Sequence, residues 1–182
     1  MSKHFNLILS IIAMVLFSFQ SHAQTDALVE DPNYDQDFRL GFGINSGYIF
    51  QEPYHFSYGA DARLQYDLSK RFSITLTSGY TNLTISGKNN DLAFIPVKVG
   101  YKTFVWENKF YLMGEFGAAF GATDAYRKTS MVVSPSAGYA SKYIDVSIRY
   151  ENYSDFPNLK DDGTVGDGVG LVSVRLAYGF KL

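Results

Sequence analysis

The sequence of 182 residues contains no cysteine, which excludes both a disulfide framework and a thiolate metal site. Its charge is nearly balanced, with a net charge of -2 at pH 7, and no basic stripe indicates nucleic-acid binding. No apolar run reaches the length of about 20 residues that a membrane-spanning helix needs. Aromatic residues, in contrast, are abundant at 16 %, from 15 Phe, 14 Tyr and 1 Trp.

The N-terminal residues have the pattern of a secretory signal. Lys3 and His4 form a short basic start, residues 7–19 are an apolar run, and the triplet SHA ends at a cleavage site after Ala23. The alternative is an uncleaved membrane anchor, but the apolar run is too short to span a bilayer as a helix. The predicted division of the chain is a cleaved signal over 1–23, a short flexible periplasmic lead over 24–36 and one domain over 37–182.

From residue 37 onward the sequence alternates between strand patterns and turns. In YIDVSIRYEN (143–152), Ile144 and Ile148 share one parity, while Asp145 and Arg149 share the other, which is the period-two pattern of a β-strand. Such segments are long enough for tilted membrane strands of about 9–11 residues. Eight strands are predicted, over residues 37–50, 56–68, 72–84, 92–104, 110–120, 131–141, 143–153 and 169–181.

The connections between these strands alternate in length. The second, fourth and sixth are the short SKR, WENK and SK, whereas the seventh is the long SDFPNLKDDGTVGDG. An up-and-down barrel places successive connections at opposite ends, and short turns at one end with longer loops at the other are typical of outer-membrane barrels. The pattern therefore predicts a closed eight-stranded antiparallel transmembrane β-barrel.

The two faces of the predicted strands differ in bulk and charge. One parity carries about seventeen aromatic residues and no charge, while the other combines the charged residues with many glycines and serines. An eight-stranded barrel has an interior just wide enough for side chains, so the aromatic parity is too bulky to lie inside. We predict that it meets lipid and that the small and charged residues fill the lumen. Aromatics near strand ends predict interfacial girdles: Tyr48, Phe50, Phe56, Tyr66, Phe72, Phe110, Phe120, Tyr178 and Phe180.

The segment DLAFIPVKVGYKTFVWENKFYLMGEFGAAFG (91–121) contains an IP strand followed, after a short turn, by FYL and a Gly-rich strand. In this it resembles the small outer-membrane β-barrel domain family of Gram-negative bacteria. The segments YDLSKRFSITLTSGY (66–80), KYIDVSIRYEN (142–152) and LVSVRLAYGF (171–180) are similar to the hairpins of that family. The resemblance covers residues 37–182.

The resemblance implies an eight-stranded barrel in the outer membrane with both termini in the periplasm. It implies no shared catalytic residues, and we predict no cofactor. The expected partners are outer-membrane lipid and the barrel-assembly machinery. Many such barrels end on an aromatic residue, whereas here Lys181 and Leu182 follow Phe180, so we expect the machinery to recognise Phe180. We expect a monomer, and the sequence names no extracellular ligand.

The inward charges are the first candidate site. Buried charges must be paired to be tolerated, and eight strands leave no channel of porin width. We interpret the set as a plug of ion pairs in the lumen, with a polar conduit or gate as the alternative. The predicted members are Arg39, Asp61, Arg63, Lys98, Glu115, Asp145, Arg149, Glu151 and Arg175.

The two longest predicted loops are the second candidate site. A mixed-charge loop that carries Tyr or Phe can anchor a partner. The predicted binding residues are Tyr126, Arg127, Lys128, Phe156, Leu159, Lys160 and Asp162. The segment DDGTVGDG (161–168) lacks the ligand order and the closing Glu of an EF-hand, and we interpret it as a loop tip, with weak divalent-cation binding as the alternative.

His55 is the only histidine after the predicted signal, and it lies near Ser57 and Asp61. A Ser-His-Asp set is able to transfer acyl groups, but no spacing here enforces a triad. We therefore predict a non-enzymatic integral outer-membrane protein that displays loops for adhesion or binding, or supports envelope integrity. The alternatives are an envelope-lipid-modifying enzyme, a small-solute pore and an accessory subunit of a secretion or assembly complex.

Overall fold

A computed structural model describes residues 36–85, 91–105, 109–123, 128–159 and 165–182. They belong to one compact unit, Gln36–Leu182, and the predicted signal and nearly all of the predicted lead lie outside the described residues. No helix in these ranges has the length and hydropathy to cross a bilayer. The strands in chain order are β1 Phe38–Ile49, β2 Tyr54–Asp67, β3 Phe72–Ile85, β4 Leu92–Val105, β5 Phe110–Gly121, β6 Thr129–Ala140, β7 Ile144–Leu159 and β8 Val165–Lys181.

The eight strands close into a barrel in which each strand pairs antiparallel with the next. The closing seam joins β1 to β8, from the pair Arg39↔Lys181 to the pair Ile49↔Leu171. Closure leaves the sheet without an edge, so its backbone polar groups find partners around the ring. The predicted closed antiparallel eight-stranded barrel is confirmed.

The strands β7 and β8 are longer than the alternation predicts. The predicted loop over 154–168 is largely a hairpin, because β7 continues to Leu159 and β8 begins at Val165. The register shifts between Tyr153 and Pro157, so one strand carries extra residues there, as in a β-bulge. Opposite this irregularity, Gly168 has a φ of 105°, a conformation that suits glycine because it has no Cβ.

The outward face of the barrel is apolar on every strand. Phe116 is 67 % exposed and Ile148 is 62 % exposed, which reverses the usual placement of large apolar side chains in a water-soluble protein. The parity of the sequence predicts this reversal. Examples from β1 to β8 are Phe42, Tyr58, Leu76, Val99, Phe116, Met131, Ile148 and Val174.

Aromatic rings pair around one end of the barrel. This turn end holds the connections 68–71 and 141–143, the end of β4, the start of β5 and the C-terminus, whose Leu182 amide donates to the carbonyl of Phe38 at 2.8 Å. The pairs and their centroid distances are Phe38–Tyr66 at 4.6 Å, Phe72–Tyr101 at 5.7 Å, Phe110–Tyr139 at 5.2 Å and Tyr143–Tyr178 at 5.8 Å. We call these eight residues the turn-end girdle, since rings at one level are typical of a membrane interface.

The apolar wall has the height of a bilayer core. On β1 it runs from Phe38 in the girdle to Tyr48 near the opposite end, which we call the loop end. Ten residue steps cover about 33–34 Å along the strand. A strand tilt of about 35–45° reduces this to about 25 Å, the height of the apolar band in outer-membrane barrels.

Two prolines interrupt the hydrogen-bond ladder without shifting its register. Pro96 and Pro135 lie in strand interiors, although Pro is normally confined to edges, strand starts and bulges. At each proline, two consecutive residue pairs are missing from the ladder with one neighbouring strand, and pairing then resumes in the same register. The β3–β4 gap lies between Ser78↔Val97 and Thr81↔Phe94, and the β6–β7 gap lies between Val133↔Asn152 and Ser136↔Arg149.

Candidate functional site

An ion pair between Arg175 of β8 and Asp61 of β2 lies at the centre of the lumen. Arg175 Nε donates to both Asp61 carboxylate oxygens, at 2.8 and 3.0 Å, and Nη2 donates to Oδ1 at 2.5 Å. The strand between them, β1, contributes Gly43 at this level, where a Cβ would lie 2.9 Å from the guanidinium carbon. The missing side chain therefore provides the space through which the two charges meet.

Glu115 of β5 is the acceptor that links three other strands. Thr77 Oγ1 donates to Glu115 Oε1 at 2.6 Å. Arg63 Nη2 lies 3.5 Å from the same oxygen, and Lys98 Nζ lies 3.7 Å from Oε2. Lys98 also donates to Glu151 Oε1 at 2.5 Å. Residues from β2, β3, β4, β5 and β7 are thus joined in one buried network.

Arg149 of β7 is held more loosely than Arg175. Its nearest carboxylate oxygens belong to Glu151 at 3.6 Å and to Asp61 and Glu115 at 3.9 Å each. These separations exceed hydrogen-bond length, although the side chain is only 3 % exposed. Three surrounding carboxylates compensate its charge without fixing its orientation. Together the residues of these ion pairs form the central charge cluster: Asp61, Arg63, Lys98, Glu115, Arg149, Glu151 and Arg175.

Nearer the turn end, Lys102 is enclosed by aromatic rings and acceptors. Its Nζ lies 3.8 Å from the Tyr111 ring centroid and 4.9 Å from that of Phe104. Asp145 Oδ2 accepts from it at 3.0 Å, and Tyr111 donates to the other Asp145 oxygen at 2.7 Å. A desolvated cation over ring faces gains cation–π attraction. The sequence-based site omits Lys102 and Tyr111, although both have the inward parity.

Arg39 lies at the turn-end mouth, not in the centre of the predicted network. Its Nε donates to Asp67 Oδ2 at 2.8 Å, and its side chain is 43 % exposed. Asp67 also accepts from Gln65 at 2.6 Å and from Ser73 at 2.7 Å. This end of the lumen is therefore crossed by polar bonds between adjacent strands. Lys102 Nζ donates to Gln65 Oε1 at 3.3 Å, which connects the mouth to the deeper charges.

The loop end of the lumen is apolar, which the prediction of a charged interior misses. Phe94 packs against Tyr153 and Phe156, with ring centroids 4.8 and 5.0 Å away, and all three side chains are fully buried. Apolar residues at inward positions near this end are the signal that reveals the cluster in the sequence. We call the following residues the loop-end apolar cluster: Ile49, Tyr54, Leu83, Leu92, Phe94, Ala119, Val132, Tyr153, Phe156, Val169 and Leu171.

The residues predicted to bind a partner from the loops lie in different environments in the structure. The prediction of Phe156 as an exposed contact is wrong, because the bulge in β7 turns its ring into the apolar cluster. Lys128 is exposed at the loop end, and Leu159 is the last residue of β7. The remaining four, Tyr126, Arg127, Lys160 and Asp162, lie outside the described residues.

His55, Ser57 and Asp61 do not come together as a triad. His55 is exposed, with Nδ1 2.8 Å from its neighbouring carbonyl at Tyr54. Ser57 is fully buried, and Asp61 is bonded to Arg175. Within the described residues, no group of three or more His, Asp or Glu side chains is arranged to hold a metal ion. The segment 161–164, part of the acidic loop motif, lies outside those residues.

Solved structures share this architecture. No protein-family model and no curated protein matches the sequence. The attachment invasion locus protein Ail of Yersinia pestis aligns with a TM-score of 0.53 and 15 % identity, covering 81 % of this chain and 100 % of its own. The N-terminal β-barrel domain of Pseudomonas aeruginosa OprF aligns with a TM-score of 0.53 and 12 % identity, covering 80 % and 100 %. At these identities the shared property is the fold, and the chain has the fold of the small eight-stranded outer-membrane β-barrels.

Proposed function

We propose that this chain is an integral outer-membrane protein that is sealed to solutes and acts through the surface it displays outside the cell. Its apolar wall of about 25 Å and its turn-end girdle support insertion in a bilayer. The turn end with both termini would face the periplasm, and the loop end would face the exterior. Outer-membrane lipid surrounds the wall, and the barrel-assembly machinery inserts the chain as a monomer.

The single observation that carries this proposal is the filled interior. A permeating ion would have to break the pair between Arg175 and Asp61 and then pass the fully buried rings of Phe94, Tyr153 and Phe156. Apolar constrictions exclude water, and with it ions. Since the sealed lumen would pass no solute, the proposal places the action of the protein on its outer surface.

The displayed surface would serve adhesion or binding, or support envelope integrity. One structure of Ail contains the heparin analogue sucrose octasulfate, a polyanion. In this chain, the segments 50–53, 86–91, 122–128 and 154–168 carry seven acidic and four basic residues. Like charges repel, so we expect a neutral or cationic partner at the loop end rather than a sulfated polymer.

Conductance in planar bilayers tests the sealed lumen. Folded protein, verified by its gel mobility without boiling, is added to both chambers, and current is recorded under applied voltage. We expect a silent membrane. Stepwise current from the folded protein would overturn the sealed barrel and favour a small-solute pore.

Surface labelling tests the display of the loop end. An epitope inserted at 160–164 is expected to bind antibody on intact cells, whereas the same epitope at 141–143 is expected to bind only after the outer membrane is opened. The reverse pattern would overturn the orientation. Cells that lack the protein are then compared for attachment and for sensitivity to detergent, which separates an adhesive role from an envelope role.

A further inference from the structure

The two ends of the barrel carry opposite charge. Among the described residues of the turn end, residues 37, 68–71, 109, 141–143 and 181–182 hold five basic residues and one acidic residue. The described residues of the loop end hold four acidic residues and one basic residue: Glu52, Asp91, Asp155, Asp167 and Lys128. Lys181 is paired with Asp37, at 2.5 Å. Four exposed basic residues lie in the short turns themselves, and every short turn contributes at least one. We call this set the basic rim: Lys70, Arg71, Lys109 and Lys142.

Each turn places its basic residue next to the turn-end girdle. Arg71 precedes Phe72, Lys109 precedes Phe110 and Lys142 precedes Tyr143. Consecutive Cα atoms are about 3.8 Å apart, so the cations lie one residue beyond the rings. Lys142 Nζ lies 5.1 Å from the centroid of the Tyr143 ring. Because aromatic girdles lie at the headgroup level, the rim is at the depth of the lipid phosphates.

We propose that the basic rim binds the phosphate headgroups of anionic phospholipids in the leaflet that surrounds the turn end. The inference rests on the proposed membrane insertion. A basic residue near an anionic membrane surface gains about fivefold in association. The rim residues are spread over all three turns, which fits an annulus of lipid around the barrel better than a macromolecule docked on one side. Their continuity with the outward-facing rings points to the same partner.

The test measures lipid selectivity around the inserted barrel. Protein is folded into phosphatidylcholine vesicles that contain trace spin-labelled phosphatidylglycerol or spin-labelled phosphatidylcholine, and the motionally restricted fraction of each label gives their relative association constant. For the parent chain we expect a severalfold preference for phosphatidylglycerol, reduced in 1 M salt because screening weakens surface attraction.

The variant Lys70→Gln, Arg71→Gln, Lys109→Gln and Lys142→Gln removes the rim charge, and its selectivity is expected to fall to about one. The charge-conserving control exchanges Lys and Arg at the same four positions and is expected to keep the preference of the parent chain. Gel mobility with and without boiling verifies that each variant folds. An equal preference in parent and glutamine variant, or no preference in the parent, would overturn the rim proposal. A parent chain that fails to insert would overturn the proposed function and the rim proposal together.

Discussion

Arg175 and Asp61 are separated by 114 positions in sequence, yet the Arg175 guanidinium donates hydrogen bonds of 2.5–3.0 Å to both oxygens of the Asp61 carboxylate in the middle of the lumen. The residues come from β8 and β2, which flank β1 only because the sheet closes. Both side chains are almost fully buried. The pair matters to the closed barrel mainly because the loss of Asp61 leaves the Arg175 charge buried with only the carboxylate of Asp145 nearby, 3.7 Å away.

The first prediction concerns this pair. Asp61→Asn is expected to lower the free energy of unfolding by about 3–5 kcal/mol, because the Arg175 charge stays buried without its partner. Urea unfolding of the protein in lipid vesicles measures the change. Asp37→Asn is the matched control, since the Lys181 partner of Asp37 is half exposed and exposed pairs contribute about 0–1 kcal/mol. Equal losses in both variants would contradict the central role of the buried pair.

A second prediction tests the space that Gly43 provides. Gly43→Ala would place a Cβ 2.9 Å from the Arg175 guanidinium. Because its bonds to Asp61 hold that guanidinium in place, relief of the contact disturbs the pair, and overpacking of this kind costs about 1–3 kcal/mol. Gly114→Ala on β5 is the control, because a Cβ there meets nothing within 4 Å. Urea midpoints of the two variants are compared. The interpretation is wrong if Gly43→Ala is tolerated as well as Gly114→Ala.

The loop-end apolar cluster gives a third prediction. Phe94→Ala removes a fully buried ring that packs against Tyr153 and Phe156, and the loss of a buried Phe costs about 3–5 kcal/mol. Phe116→Ala on the outward face is expected to cost less, since lipid fills the space that the ring leaves. If the outward substitution proves the more damaging of the two by urea unfolding, the packed interior is contradicted.

The fourth prediction tests the outward wall. Ile148→Lys places a charge on the exposed apolar face of β7, and charges at the bilayer midplane cost about 2–4 kcal/mol in such barrels. Thr129→Lys at the loop end is the control, with an expected cost of about 0–1 kcal/mol near the interface. Folding of both variants into vesicles is measured. A harmless Ile148→Lys would indicate that this face meets water.

The period-two pattern predicts the eight strands, and the bounds of β1 to β6 agree within two residues. It succeeds because the outward face is largely apolar and carries no charge, so parity carries one signal along each strand. It fails at the β7–β8 hairpin, where the polar Ser154 and Asp155 and the neighbouring Pro157 have the composition of a loop but continue the strand. Backbone pairing across a hairpin requires no apolar side chains, and the sequence does not reveal it.

The sequence predicts that the interior of the barrel is charged, but it does not predict which charged residues pair with each other. Parity identifies which charges point inward, whereas the choice of Arg175 for Asp61 depends on the register at which β8 closes onto β1. Phe156 shows a second limit. The register shift between Tyr153 and Pro157 turns Phe156 inward, and residues inserted into a strand have no distinctive composition that would reveal them in the sequence. Leu83 and Phe94 are apolar residues at inward positions near the loop end. They share that parity with charged residues nearer the centre of the barrel, so parity alone predicts a charged lumen and not an apolar loop end.

The most direct test of the account is the gel mobility of the protein extracted from outer membranes, with and without boiling in detergent. A closed barrel resists detergent until it is heated, because its backbone polar groups are paired around the ring. We predict that the unboiled protein is found in the outer-membrane fraction and shifts in mobility on boiling. A protein that is soluble in the periplasm and shows no shift would contradict the central claim that the apolar wall meets lipid.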